Sequence, residues 1–274
     1  MKITNAFLIL AASGIIIGAC QKTTDTTGVL PEGKEISNDL VLMDELEEEL
    51  FNDLIDLDNW WLYGTKQGGD DCRIVTVEPE DRTIWPKTIT IDFGEGCEVR
   101  EGVVKKGKIV IRQSAPAHSD TWRKRVEFVR YQVNDDRIAG YQTFGFSREG
   151  RAPSWHTSTD MTITLAEGTE IKRAGQHLRQ QIAGTETPRE RTDDVFRLTG
   201  ESSGTGREGK SYHSVITEPL IAPNACRWIT KGVKEITVGE ESTSVLDYGD
   251  GTCDNQATVT RDGETVTITL RGRR

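Results

Sequence analysis

Thr88-Ile89-Thr90-Ile91-Asp92-Phe93-Gly94-Glu95-Gly96-Cys97 is the stretch whose reading decides the fold. Ile89, Ile91 and Phe93 alternate with Thr88, Thr90 and Asp92, which places apolar and polar side chains on opposite faces of a strand. The same period of two recurs at Met161, Ile163 and Leu165 against Thr162 and Thr164. It returns at Val266, Ile268 and Leu270 against Thr265, Thr267 and Thr269. Thr, Val and Ile are the residues that pleated, half-buried surfaces favour. Turn signals divide the runs: Gly94–Gly96, Asn134-Asp135-Asp136, Gly204–Gly209 and Asp262-Gly263. No helical pattern recurs between strands, which argues against parallel βαβ units. The sequence predicts a mainly β fold: an antiparallel meander forming a large sheet, sandwich or barrel, with one short N-terminal amphipathic helix.

Outward from that stretch lies a repeat. Cys72-Arg73-Ile74 leads to Asp92-Phe93-Gly94-Glu95-Gly96-Cys97. Cys226-Arg227-Trp228 leads to Asp247-Tyr248-Gly249-Asp250-Gly251-Thr252-Cys253. Residues 72–111 and 226–270 therefore read as two related units. Four cysteines allow three pairings; locality and the repeat favour Cys72–Cys97 and Cys226–Cys253. In each Asp-aromatic-Gly-acid-Gly string, glycines supply positive φ for a turn, and Asp92 or Asp247 bonds nearby backbone N–H groups. The alternative for the second string is a calcium site built from Asp247, Asp250 and Asp254, because a hard cation needs several oxygens. An EF-hand-type series of ligands is absent, so no cofactor is expected.

Upstream, Met43, Leu46, Leu50, Leu54 and Leu57 recur at steps of three and four. This predicts a helix over 38–58, capped by Ser37 or Asn38 and docked by its apolar stripe. Asp44, Glu47, Glu48, Asp53 and Asp56 fall mostly on the other side, where a solvated face is expected. The net charge of −10 is concentrated here: residues 21–60 hold 12 acidic and 2 basic side chains, whereas residues 61–274 hold 32 and 31. The body lacks the basic excess of a nucleic-acid binder.

At the N-terminus, Met1-Lys2 precedes an apolar stretch from Ala6 to Ala19, which ends in Ile17-Gly18-Ala19-Cys20. The stretch is short for a transmembrane helix and fits a cleaved signal. Its end resembles the lipobox of bacterial lipoproteins. That resemblance implies a signal peptide at 1–19, a diacylglycerol on Cys20, a lipidated spacer at 20–37 and a β domain at 59–274. More broadly, the strings around Cys97 and Cys253 are similar to those of uncharacterised lipobox-bearing lipoproteins of the Bacteroidota. The resemblance implies an exported chain anchored to the cell envelope at the outer membrane, and it brings no activity with it.

Other motifs are weaker. Gly204-Thr205-Gly206-Arg207-Glu208-Gly209-Lys210-Ser211 matches the phosphate-loop pattern GxxxxGK[ST]. Such a loop works only between a strand and a helix, and Tyr212 to Thr217 continues as a β pattern, so no nucleotide partner is expected. His118, His156, His177 and His213 show no metal-ligand spacing. A nucleophile elbow is absent. The tryptophans Trp60, Trp61, Trp85, Trp122, Trp155 and Trp228 read first as core and hairpin-rim residues.

These observations predict a non-enzymatic binding or scaffold lipoprotein. Its partners would be the bilayer through acylated Cys20 and an envelope protein or glycan. A carbohydrate- or calcium-dependent adhesion module, marked by tryptophans clustered on one exposed face, is the first alternative. An envelope hydrolase, marked by paired carboxylates in a cleft, is the second.

Overall fold

The computed structural model describes residues 34–63, 72–149, 152–240 and 243–271. The signal stretch, Cys20 and the spacer up to residue 33 lie outside the described residues.

One helix, α1 (Lys34–Tyr63), precedes fourteen strands: β1 (Ile74–Glu78), β2 (Lys87–Asp92), β3 (Cys97–Arg100), β4 (Val103–Gln113), β5 (Thr121–Val133), β6 (Asp136–Glu149), β7 (Ala152–Thr164), β8 (Glu170–Ala183), β9 (Val195–Thr205), β10 (Ser211–Pro223), β11 (Lys231–Val238), β12 (Thr243–Asp250), β13 (Gln256–Arg261) and β14 (Glu264–Thr269). They form a single antiparallel sheet in the order β1-β2-β4-β5 and then strictly onward to β14, with β3 paired to β4. Of the sheet, sandwich and barrel that the alternation allowed, the chain adopts the sheet, and it is not closed.

Alternation sets the two faces. Ile89, Ile91, Ile109, Ile111, Phe144, Phe146, Trp155, Met161, Ile163, Phe196 and Ile236 are all buried. They form one core with Leu40, Met43, Leu50, Phe51, Leu54 and Leu57 of α1. Phe51 is a hub: its ring meets those of Trp155 and Phe196 edge-on, each at 5.3 Å. Edge-to-face contact suits the ring quadrupoles. Bulges bend the long strands, as at Gly107 opposite Arg130, where the register of β4 on β5 shifts.

The helix departs from expectation in three ways. It is longer, starting at Lys34 and ending at Tyr63, so the β pattern begins at Ile74 rather than near Trp60. Ser37 and Asn38 lie inside it and do not cap it. Gly206 in the β9–β10 hairpin has no side chain, and Ile36 and Asp39 fill the space a Cβ would need, which docks the extra first turn. Finally, over residues 34–58 α1 has no solvated face. From residue 34 to 58 only Asp56 is exposed. Its partners come from β3 through β12, so the sheet curls around the helix.

The two cysteine units bracket the sheet, one at each edge. Cys72 is bonded to Cys97 and Cys226 to Cys253. The Asp turns are alike: Asp92 accepts from the Gly94 N–H at 2.9 Å and Asp247 from the Gly249 N–H at 2.8 Å. Beyond the turns the units differ. β2 and β3 share the partner β4, whereas β12 pairs β13 and β13 pairs β14. Gly96, expected at positive φ, does not have it.

Candidate functional site

The acidic side of α1 finds its counter-charges on the concave face of the sheet. Asp44 accepts from Lys234 at 2.7 and 2.6 Å, from Arg173 at 2.7 Å and from the Tyr248 hydroxyl at 2.5 Å. Arg179 grips Glu48 with two nitrogens and lies 4.0 Å over the Phe51 ring. Lys105 bridges Glu49 at 2.7 Å and Asp53 at 2.8 Å. Lys124 meets Asp58 at 2.6 Å. Arg207 in the β9–β10 turn holds Asp39, and Arg191 holds Asp56. Buried charges demand such partners, since an unpaired one is strongly destabilising.

These surroundings shift the titrations. Burial alone would raise Asp44, but Lys234 and Arg173 hold its carboxyl below the usual range. Burial raises Glu47, against the pull of Arg173. His177 is pushed down to about 3, first by burial and then by Lys234 and Arg173, so it is neutral. Its Nδ1 stands 3.7 Å from Glu47 and makes no hydrogen bond.

The face of the sheet turned away from α1 carries a trough of about 1070 Å³. It crosses β4 to β10 at right angles to the strands, with up to three consecutive residues from each strand lining it. The register explains its course. Arg112, Arg125, Thr143, Ser158, Gln176, Glu201 and Val215 are successive cross-strand neighbours in one outward row. A parallel row runs Arg123, Gly145, His156, Leu178, Thr199. At about 4.8 Å between strands, the row spans ~29 Å. Gly145 and small Ser and Thr side chains keep the floor low.

Its charges are asymmetric. Arg112 and Arg125 share the carboxylate of Glu127 at 3.0 and 2.8 Å, and Arg125 lies 3.8 Å over the Tyr141 ring. Among the described residues the side chains of Arg123, His156 and Gln176 make no hydrogen bond or ion pair. Glu201, at the far end, lies 3.7 Å from His213.

Between the two rows an inner row, Lys124, Phe144, Thr157, His177 and Gly200, faces the helix. Beneath it lies a void of about 20 Å³ lined by Glu47, Gln142, His177 and Lys234. The trough and the ionic interior are thus separated by one layer of chain.

The anticipated sites fall elsewhere. Asp247, Asp250 and Asp254 do not converge. Each accepts from an amide two residues on, at 2.8, 3.0 and 3.0 Å. Among the described residues no group of three or more His, Cys, Asp or Glu side chains is placed to hold a metal. Gly206–Lys210 joins two strands as a hairpin turn, and no helix follows. Trp122 and Trp155 are buried in the core. Ser203 bonds His213 at 2.9 Å, and Glu201 lies 3.7 Å from His213, but all three are exposed on the strands, outside the water-excluded surroundings in which such chemistry gains most. The trough residues escaped the sequence reading because they become neighbours only through the strand register. No protein family, curated protein or solved structure matches the chain.

Proposed function

We propose that this chain is a membrane-anchored cell-envelope lipoprotein with a non-enzymatic binding role. In this reading Cys20 carries the lipid, residues 21–33 form the tether, and the β body presents the outward-facing trough to a ligand. The trough carries the reading: it is large, crosses seven strands, and leaves the side chains of Arg123, His156 and Gln176 without partners among the described residues. Ligand sites are concave surfaces with a few convergent polar groups. The interior ion pairs support a structural role for the remaining charges, because they are spent on holding α1. The Asp39–Arg207 pair holds the start of α1 at the β9–β10 hairpin, and in this reading the tether would leave from that end of the strands. The trough lies at mid-strand on β6 to β9 and near the strand ends on β4 and β5, and it would face sideways from a membrane at the hairpin end.

Cells grown with an alkyne fatty acid test the anchor. The full chain should take up label and fractionate with membranes, and Cys20→Ala should do neither. Equal membrane association of the Cys20→Ala variant would defeat the lipoprotein reading. Protease shaving of intact cells then reports the leaflet: loss of the domain places it outside, and protection until permeabilisation places it in the periplasm.

A further inference from the structure

We propose that the trough binds a uronic-acid polysaccharide, laid across the strands with its carboxylates on the β4–β5 flank. This rests on the reading of the chain as a binding protein and names the ligand. Three arginines, Arg112, Arg123 and Arg125, line that flank. Glu127 offsets one of them by bridging Arg112 and Arg125, and Arg123 is unpaired among the described residues. The flank is therefore left with two uncompensated positive charges. Tyr141 and Glu127 hold the Arg125 guanidinium in place, so it needs little ordering when a carboxylate arrives. A guanidinium fork matches a carboxylate in two parallel hydrogen bonds.

The floor selects the rest of the ligand. Thr143, Ser158, Gln176 and Thr199 each donate and accept, as sugar hydroxyls do. Toward β10, Val215 offers apolar surface suited to the C–H face of a pyranose. A peptide is matched less well. The trough runs across the strands, so from β4 to β9 its floor lies over ladder-paired backbone and offers a peptide no continuous strand edge; only the β9–β10 ladder is interrupted, between Glu201–Val215 and Leu198–Leu220. A span of ~29 Å holds about six sugar residues. Glu201, exposed at the far end, opposes the negative charges that pass it.

Binding of hexasaccharides to the full chain in detergent tests this, measured by calorimetry. The probes are galacturonate, mannuronate and hyaluronan hexamers, each with its methyl ester, and hexaglutamate. At least one acidic hexamer should bind, and its ester should bind at least about tenfold more weakly, the loss expected for a hydrogen bond to a charged group. Arg123→Ala should weaken binding by about the same factor, and Glu201→Gln should strengthen it. Gly145→Tyr should abolish it: a Cβ at Gly145 meets nothing nearer than 3.9 Å, so the ring enters the trough without disturbing the sheet. Unchanged melting temperatures of these variants verify folding.

Equal binding of acid and ester, lost in Gly145→Tyr, would overturn the ligand class and leave the trough as a binding site. Binding that survives Gly145→Tyr would overturn the trough itself. Preference for hexaglutamate, or no binding of any hexasaccharide, would also overturn the proposal.

Discussion

Asp44 in α1 and Lys234 in β11 lie 190 residues apart in sequence, yet both carboxylate oxygens of Asp44 are within 2.7 Å of the Lys234 ammonium. Arg173 and Tyr248 complete the set. The contact joins the helix to the second half of the sheet, and it can form only once the meander has curled. Asp44→Ala removes the carboxylate that two buried cations share and leaves them only Glu47, 3.5 Å from Arg173. A loss of about 3–5 kcal/mol is expected in urea unfolding of the full chain. A loss below 1 kcal/mol would show that water reaches the cluster.

Lys124 and Asp58 form a simpler buried pair, 1% and 11% exposed. Burial raises Asp58 despite the nearby ammonium, so desolvation weighs heavily on the pair. Lys124→Met alone should destabilise by about 3 kcal/mol or more, and adding Asp58→Leu should restore most of it. A double-mutant cycle from denaturant melts gives the coupling, and additive losses would contradict it.

His177 faces Asp44 and Glu47 from α1, Arg179 and Arg173 from its own strand, and Lys234 from β11. Its folded value of about 3 lies below its ordinary 6.5, so the unfolded chain binds the proton first. Stability therefore falls as pH drops below 6.5, by up to about 1.4 kcal/mol per unit for this one proton. Asp44, held low, keeps its contribution until the pH falls below the ordinary carboxylate range. Glu47, held high by burial, acts in the opposite direction from its ordinary 4.5 upward and shallows the slope. Between pH 7 and 5, His177→Gln should flatten the pH dependence of the urea midpoint. An identical slope in the variant would refute the assignment.

Gly200 sits opposite His177 with φ of +138°. A Cβ there would fall 2.8 Å from the His177 Cα and 2.9 Å from its ring. Gly200→Ala should lower stability by about 2–4 kcal/mol through strain and overpacking. Gly145→Ala, on the open outward row, should be within about 1 kcal/mol of the parent. Thermal melts of the two variants side by side make the comparison.

Each disulfide closes a loop near an edge of the sheet, with separations of 25 and 27 residues. Replacing either pair by serines should lower stability by about 3.5 kcal/mol in the chain-entropy model. Non-reducing peptide maps should contain Cys72–Cys97 and Cys226–Cys253 and no mixed species.

Alternation is enough to predict a mainly β chain and the faces of the runs at 88–93, 161–165 and 265–270, and local chemistry predicts the Asp turns and the favoured cysteine pairs. Period-two alternation and turn chemistry are local, and Ile89, Ile91 and Phe93 carry their face wherever the strand is placed. The sequence by itself also determined that residues 38–58 are helical, because the leucine spacing is local too. Only the tertiary structure decided what surrounds that helix. Asp44, Glu48 and Asp53 read as a solvated face, since a charge in a sequence carries no sign of its partner, and the partners Lys234, Arg179 and Lys105 lie on distant strands. The trough depended on tertiary structure in the same way. Arg125, Thr143, Ser158, Gln176 and Glu201 are ordinary outward residues one strand at a time, and they form one row only because hydrogen-bond register aligns five strands. Register and curl are set by burying the inner face around α1, and that is a property of the whole sheet.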